Sequence, residues 1–209
     1  MPTQLNMDWV RIDNNLTITV NDPFISEQDT TIVLEPYDIG KYEVSILQYC
    51  VFMNQAIKDG KIYYSHSWGW MVHENWADTR MFNPPLLSGI PIEPVWYDRN
   101  QNKVYPYQGA HDKPMFRLTW FGAKIFAEFN GWSIPSHAEW LRAAKGPDFN
   151  RTRPWGEEQP TCEHMNYCDC LPEMLADWQM LWQELDALDS HPLGQSYEGC
   201  FQMSGNVAE

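Results

Sequence analysis

Two capping boxes constrain this chain more than any other feature, because each marks the start of a helix. Ser45 and Gln48 stand three residues apart, and apolar residues follow them at helical spacing. Ser136 and Glu139 repeat the pattern ahead of another apolar stretch. Gly or Asn-Gly signals end the periodic stretches. The predicted helices cover residues 45–57, 119–130, 136–145 and 171–188.

The rest of the sequence indicates short strands and long loops. β-forming residues recur between residues 8 and 39, which predicts two or three strands with residues 21–29 as a connecting loop. Residues 61–112 combine clustered Pro and Gly with several Trp and little periodicity, so we expect a long irregular region. The predicted fold class is α+β and irregular, with few short strands, two to four helices and long loops.

The net charge excludes several classes of function. With 28 acidic residues against 14 Lys and Arg, the chain carries a formal charge of −14 at pH 7. Nucleic-acid binding requires a basic surface, and anionic membranes repel an acidic one, so we expect neither partner. The N-terminal residues lack the basic and apolar regions of a signal peptide. We therefore expect a cytoplasmic protein, or part of a particle assembled in the cytosol.

The five cysteines do not suggest a disulfide framework, because their number is odd. Cys50 lies within the first predicted helix, where we expect a buried thiol. Cys162, His164, Cys168 and Cys170 form a cluster that could hold zinc, but its spacing differs from the paired C-x2-C of structural zinc sites. Free loop thiols are the favoured interpretation, and a disulfide or a zinc site stay open as alternatives.

Four blocks of the sequence occur in a characteristic order. They are YDIGKYEVSILQYCVFMNQA, KPMFRLTWFGAKIFAEFNGWSIPSHAEWLRAAKG, RPWGEEQP and GCFQMSGNVAE. In this order they resemble the signature of the formylglycine-generating enzyme family, the sulfatase-modifying-factor domains. The resemblance covers most of residues 31–209. It implies a C-type-lectin-like fold, and we expect a single domain over residues 1–209 that is apparently truncated at its C-terminus.

The resemblance also bears on catalysis. In the resembled enzymes, two redox cysteines that bind copper lie beyond the block that corresponds to residues 199–209. This sequence stops inside that block, at Glu209, so no catalytic residue carries over. We favour a non-catalytic domain that binds a protein or carbohydrate ligand through its aromatic-rich region. The alternative is the N-terminal part of a copper-dependent protein-cysteine oxidase. A domain that accompanies another enzyme module, as in sulfoxide synthases, ranks last.

The resembled family further implies a calcium site built from two stretches. The implied ligands are Asn166, the Tyr167 carbonyl, Gln202, the Gly205 and Val207 carbonyls, and Glu209. Gln202 stands where the family has Asp or Asn, which keeps an oxygen but removes a charge. Hydrogen bonds alone are an equally weighted alternative for holding these loops.

The same block is expected to contribute to the core. If the resemblance holds, residues 201–209 form a strand and turn against the helix that begins at Ser136. Phe201, Met203 and Val207 would then be buried. We expect calcium, a partner or a continuation of the chain to cover this end, because unsupported chain ends fray.

Overall fold

Short strands and helices alternate along the chain in the computed structural model. The structure describes residues 5–13, 16–20, 30–67, 69–72, 80–82, 95–148, 150–167, 170 and 184–207. The strands are β1 (Trp9–Ile12), β2 (Leu16–Val20), β3 (Thr30–Leu34), β4 (Tyr37–Gly40), β5 (Ile62–Ser65), β6 (Gly69–Val72), β7 (Val95–Asp98) and β8 (Lys103–Pro106). The helices are α1 (Ile46–Lys58), α2 (Trp120–Phe129), α3 (His137–Lys145) and a short 3-10 helix (Pro192–Gly194). The predicted α+β class is confirmed.

The described strands pair two by two in antiparallel ribbons. β1 pairs with β4, and the β2–β3 hairpin lies between them in sequence; β5 pairs with β6 and β7 with β8. The region predicted to hold two or three strands therefore holds four. The extra division falls at Glu35-Pro36, because proline has no N–H to continue a ladder.

Much of the region predicted to be irregular is regular. Between residues 61 and 112 the structure contains the β5–β6 and β7–β8 hairpins, so that prediction was wrong for these residues. In the second hairpin, Asp98 Oδ1 accepts the backbone N–H groups of Asn100 and Gln101, which closes the turn. Short strands of four residues gave too few repeats for period-two alternation to stand out. Residues 68, 73–79 and 83–94 of this region lie outside the described part.

Three of the predicted helices are confirmed, each with its cap. Ser45 and Gln48 bond reciprocally at the start of α1, and Ser136 and Glu139 do so at α3. The hydroxyl of Thr119 accepts the N–H of Gly122 at the start of α2. The fourth predicted helix is wrong over residues 184–188, which are not helical. Residues 171–183 lie outside the described part.

The larger core forms around Tyr49 on α1. Its ring stacks on Phe126 of α2 with centroids 5.3 Å apart, and its hydroxyl donates to the Gly122 carbonyl at 2.8 Å. Gly122 also packs closely on the Met81 backbone, since a Cβ there would lie 2.2 Å from the Met81 carbonyl oxygen. Cys50 is buried in the same cluster, as predicted.

A second core joins β1, α3 and the C-terminal residues. Ile12, Ala143, Ala144, Cys200 and Met203 are its buried members. An ion pair between Arg142 and Glu198, 2.5 Å between Nη1 and Oε1, ties α3 to the same segment. Among the described residues, no helix combines the length and apolar character that crossing a bilayer would require.

The expectation for the C-terminal residues was right in part. Phe201 and Met203 are buried, 8% and 7% exposed, but Val207 is only half-buried. The segment bends and does not form a strand, because Gln202, Gly205 and Asn206 have positive φ angles that no strand accommodates. Burial ends where these left-handed residues turn the chain outward.

Candidate functional site

The candidate site is the C-terminal block, residues 199–207, together with the loops that contact it. Gly199, Gln202, Gly205 and Asn206 all have positive φ, so the block is a succession of tight turns. Two bonds to Ser196 hold its start: the Ser196 N–H donates to the Cys200 carbonyl, and the Ser196 hydroxyl accepts the Cys200 N–H. The Phe201 N–H donates to the Lys41 carbonyl. Individual hydrogen bonds, and not a repeating helix or strand pattern, therefore hold the backbone of this block.

Asn206 is the centre of the hydrogen bonding in this site. Its Oδ1 accepts the Asp186 N–H at 2.9 Å, and its Nδ2 donates to the Asp186 carbonyl at 3.3 Å and to Glu43 Oε2 at 3.1 Å. Its backbone N–H donates to the Asn166 carbonyl at 2.9 Å. One residue therefore connects the block to three segments distant in sequence.

Asn166 lies on the loop that faces the block. It is buried, and its Nδ2 donates to the Glu184 carbonyl at 2.6 Å. Gly205 approaches so closely that a Cβ there would be 2.5 Å from the Asn166 carbonyl oxygen and 3.1 Å from the Met165 Cβ. Only glycine permits this contact at a φ of +89°.

Gln202 supplies the buried oxygen of the site. The residue is 4% exposed, and its Nε2 donates to the Ser190 carbonyl at 3.3 Å. Its Oε1 is buried and has no hydrogen-bond partner in the part of the chain that the structure describes. A buried acceptor without a donor carries a desolvation cost of about 1–3 kcal/mol, which a cation or an ordered water would relieve.

The structure brings together some of the predicted calcium ligands. Asn166 and Gly205 are in direct contact, and Tyr167 and Val207 are both half-buried nearby in sequence. Gln202 is bonded to Ser190 instead of to the Asn166 loop. Glu209 lies outside the described residues. No group of three or more His, Cys, Asp or Glu side chains is arranged to hold a metal in the part of the chain that the structure covers.

The cysteine cluster is different from the favoured prediction. Cys162 and Cys170 form a disulfide with Cα atoms 5.5 Å apart, so these two are not free thiols. The ring of His164, another member of the cluster, stacks on Trp155 and hydrogen-bonds Thr161 through Nδ1 at 2.8 Å. Cys168 lies outside the described residues. Spacing rules for metal sites compare the positions of four possible ligands along the sequence. They do not reveal that the turns after Thr161 bring the first and last cysteines of the cluster together.

Sequence reasoning missed three polar residues of the site. Glu43, Asp186 and Asn206 form its bonds, but Glu43 and Asp186 lie 163 and 20 residues from Asn206. Asp186 Oδ2 also accepts a hydrogen bond from His191 Nε2 at 2.8 Å. One signal was present: Asn directly after Gly205 is a residue type that tolerates positive φ and bonds to backbone.

An exposed ring, Trp96, and a half-buried ring, Tyr105, form a separate surface on the β7–β8 hairpin. Trp96 and Tyr105 are cross-strand partners, and their ring centroids are 5.5 Å apart with an interplanar angle of 34°. Trp96 is 49% exposed, whereas Val95 and Val104 are buried on the other face. A second exposed pair, Trp120 and Phe121, lies at the start of α2.

Comparison with known proteins gives two findings. A family model described as the sulfatase-modifying factor enzyme 1-like domain matches residues 12–209. A formylglycine-generating enzyme from Thermomonospora curvata is 25% identical over 138 residues. That match covers 61% of this chain and 43% of the relative, so the chain spans less than half of that enzyme's length.

The contact between Gly205 and Asn166 yields a first prediction. Gly205→Ala should lower the free energy of unfolding by more than Gly199→Ala. Both glycines have a φ near +90°, but a Cβ at Gly199 meets nothing closer than 3.9 Å. The control therefore measures backbone strain alone, about 1 kcal/mol, while the Gly205 variant adds a clash with backbone worth about 1–3 kcal/mol more. Urea unfolding of the two variants decides it; equal losses would mean that the contact is not maintained in solution.

Proposed function

Because the chain belongs to the sulfatase-modifying factor enzyme 1-like family, we propose that it uses this fold as a ligand-binding domain, without redox chemistry by its own cysteines. The proposed topology is C-type-lectin-like, in which binding surfaces lie on loops and hairpins. The observation that carries the proposal is the exposed Trp96 ring beside the half-buried Tyr105 ring, on a hairpin whose other face is anchored in the core.

The placement of the cysteines supports a binding role. Cys50 and Cys200 are 2% and 0% exposed and belong to different core clusters. Burial raises the pKa of Cys50 to about 12, so its reactive thiolate is scarce at neutral pH. Cys162 and Cys170 are already joined to each other. Copper needs accessible thiolates that converge on one point, and these four residues do not fit that requirement.

The hairpin presents its rings rigidly. Val104, directly beside Tyr105, is buried, and its backbone N–H and carbonyl bond the Asn54 side chain of α1 at 2.9 and 2.8 Å. The Tyr105 hydroxyl donates to Gln101 Oε1, which fixes the ring from its outer end. Two rings held this way lose little entropy when a ligand binds.

The chemistry of the pair favours a saccharide. A flat aromatic face packs against the C–H face of a sugar ring, and Trp and Tyr add a polar edge. Gln101 of the turn hydrogen-bonds the Tyr105 hydroxyl, and its exposed side chain lies where it can reach sugar hydroxyls. The ligand on this proposal is a neutral or basic oligosaccharide, since the chain carries a charge of −14.

A glycan array tests the binding proposal. The parent protein should bind at least one oligosaccharide, and Trp96→Ala should weaken that binding about tenfold or more, because base-stacking or sugar-stacking aromatic contacts contribute about 1–3 kcal/mol. Trp120→Ala removes another exposed ring, 58% against 49% exposed for Trp96, from a different surface and is the matched control. Absence of binding by the parent, or equal loss in both variants, would contradict the proposal.

We also propose that the C-terminal block holds calcium. The support is the buried Gln202 Oε1, which has no hydrogen-bond partner among the described residues, and the approach of Gly205 to the Asn166 loop. Gln202, Asn166, Glu209 and the carbonyls of Tyr167, Gly205 and Val207 would be its ligands. Calcium would cross-link two loops that lack regular structure. The rival explanation is that the Asn206 hydrogen bonds suffice.

Calcium titration separates these explanations. At a calcium concentration about 100 times the dissociation constant, binding should stabilise the fold by about 2.7 kcal/mol, seen as a raised Tm. Gln202→Met removes the oxygen at similar volume and should abolish the shift, whereas Gln202→Glu restores a charge and should strengthen it. Magnesium is the control ion. A parent Tm that does not respond to calcium would favour hydrogen bonds alone.

The second candidate function is oxidation of a protein cysteine, favoured by the similarity to a formylglycine-generating enzyme. A copper-binding cysteine pair for that chemistry would have to be supplied from outside these residues. We expect the 209-residue chain, incubated with copper and a peptide bearing a sulfatase cysteine motif, to leave the peptide unchanged. Mass spectrometry would detect conversion of the thiol to an aldehyde, and such conversion would establish the oxidase instead. The T. curvata enzyme is the positive control.

A further inference from the structure

We propose that a cavity between the C-terminal ends of α1 and α2 binds an alkylammonium group, the side chain of a lysine residue on a partner protein. The cavity shares no residue with the Trp96–Tyr105 surface or with the C-terminal block, so the inference goes beyond the functions proposed above. Its volume is about 250 Å³. The five non-hydrogen atoms of a lysine side chain, each about the size of a water molecule at roughly 30 Å³, need about 150 Å³ and therefore fit.

Much of the cavity lining is apolar. Val51 and Phe52 of α1, Phe129 of α2 and Leu5 contribute to it. The rings of Phe52 and Phe129 meet edge to face with centroids 5.2 Å apart, so this part of the wall is firmly packed. Val51 is 40% exposed and lies at the mouth. Such a lining contacts methylene groups favourably, and the occupant therefore carries an aliphatic segment.

The polar part of the lining consists of three side-chain amides, those of Asn54, Gln55 and Asn130. Each amide nitrogen donates to a protein acceptor at 2.8 Å: Asn54 Nδ2 to the Val104 carbonyl, Gln55 Nε2 to Asp59 Oδ1, and Asn130 Nδ2 to the Phe126 carbonyl. Because these bonds hold the nitrogens, they also determine where the amide oxygens lie.

The amide oxygens can accept hydrogen bonds from an occupant. In the described part of the chain, no donor reaches Gln55 Oε1 or Asn130 Oδ1. Asn54 Oδ1 accepts the Val104 N–H at 2.9 Å, and a carbonyl oxygen has a second lone pair. Three acceptor oxygens match an ammonium, which carries three N–H donors. A carboxylate carries only acceptors and would face like groups at these oxygens.

The electrostatics of the helix ends also favour a cation. α1 ends at Lys58 and α2 at Phe129, and the last carbonyls of a helix carry partial negative charge. The charged side chains of these ends balance, since Lys58 adjoins Asp59 and Lys124 pairs with Glu128 at 3.5 Å. The helix ends and the formal charge of −14 therefore decide the sign of the occupant.

The surface around the mouth suits a protein better than a free amine. Leu47 lies one helical turn before Val51 on α1 and is 43% exposed. An apolar strip of α1 thus continues from the mouth of the cavity. A small amine would leave this strip in water, whereas the residues that flank a lysine in a partner chain can cover it.

Nuclear magnetic resonance titration of the full chain tests the site. The probes are Nα-acetyl-lysine methylamide and the norleucine analogue, which has a similar side chain without the ammonium. The lysine probe should shift the side-chain NH2 signals of Asn54, Gln55 and Asn130, which report on the cavity directly. It should bind about tenfold or more tightly than the norleucine probe, because hydrogen bonds to a charged group are the stronger ones.

Three variants locate the binding. Val51→Phe fills the mouth and should abolish binding of both probes. Leu47→Phe, an equally exposed position one turn away and outside the lining, is the matched control and should leave the affinities within about twofold. Gln55→Met removes one oxygen at similar length and should reduce the preference for lysine over norleucine, whereas a merely structural role would weaken both probes alike.

The parent protein alone can overturn the proposal. Equal affinity for the lysine and norleucine probes would refute the ammonium assignment, and unshifted NH2 signals would show that the cavity is not the site. Unchanged binding in Val51→Phe would show the same. Tighter binding of n-butylamine than of the lysine probe would assign the cavity to a free amine and refute the protein partner. The glycan array measures the Trp96–Tyr105 surface separately, so failure of one proposal leaves the other standing.

Discussion

The hydrogen bonds that hold the C-terminal block depend on Asn206, through its side-chain amide and its backbone N–H. Its atoms connect the C-terminal block to Asn166, to Asp186 and to Glu43 of the segment before α1. Strands and helices satisfy backbone groups by repetition, but the described residues 184–207 have little repetition beyond one 3-10 turn. A side chain that carries both donors and an acceptor can satisfy the backbone groups that lack such a repeating pattern. Because Asn206 sits at a positive φ, the residue also sets the direction of the chain.

Close backbone approach is the second condition on the same region. Gly194 and Gly205 contact carbonyl groups of the Asn166 loop, one on His164 and the other on Asn166. These contacts align the loop before any metal or ligand is considered. The Gln202 Oε1 is buried and has no hydrogen-bond partner among the described residues. A cation bound to this oxygen would offset the cost of burying it and add stability.

The sequence predicted the helices of this fold better than its strands, for a physical reason. A capping box is a local signal, so Ser45 with Gln48 and Ser136 with Glu139 located α1 and α3 within a residue or two. The four-residue strands of the β5–β6 and β7–β8 hairpins gain their stability from cross-strand pairs and from packing on α1, which no short window reveals. The site was predicted in its glycines and in Asn166, while Glu43 and Asp186 joined it through contacts distant in sequence.

The disulfide changes how the expectation of a cytoplasmic location should be viewed. Thiols in a reducing cytosol are kept reduced, and disulfides persist in oxidising surroundings. A pair that is partly exposed and lies outside both core clusters can be lost without opening the hydrophobic packing around Tyr49. The packing around Tyr49 therefore depends on burial, whereas the Cys162–Cys170 link depends on the redox state of the surroundings. The Trp96–Tyr105 hairpin is anchored to α1 through Asn54, so the position of these two rings does not depend on the disulfide.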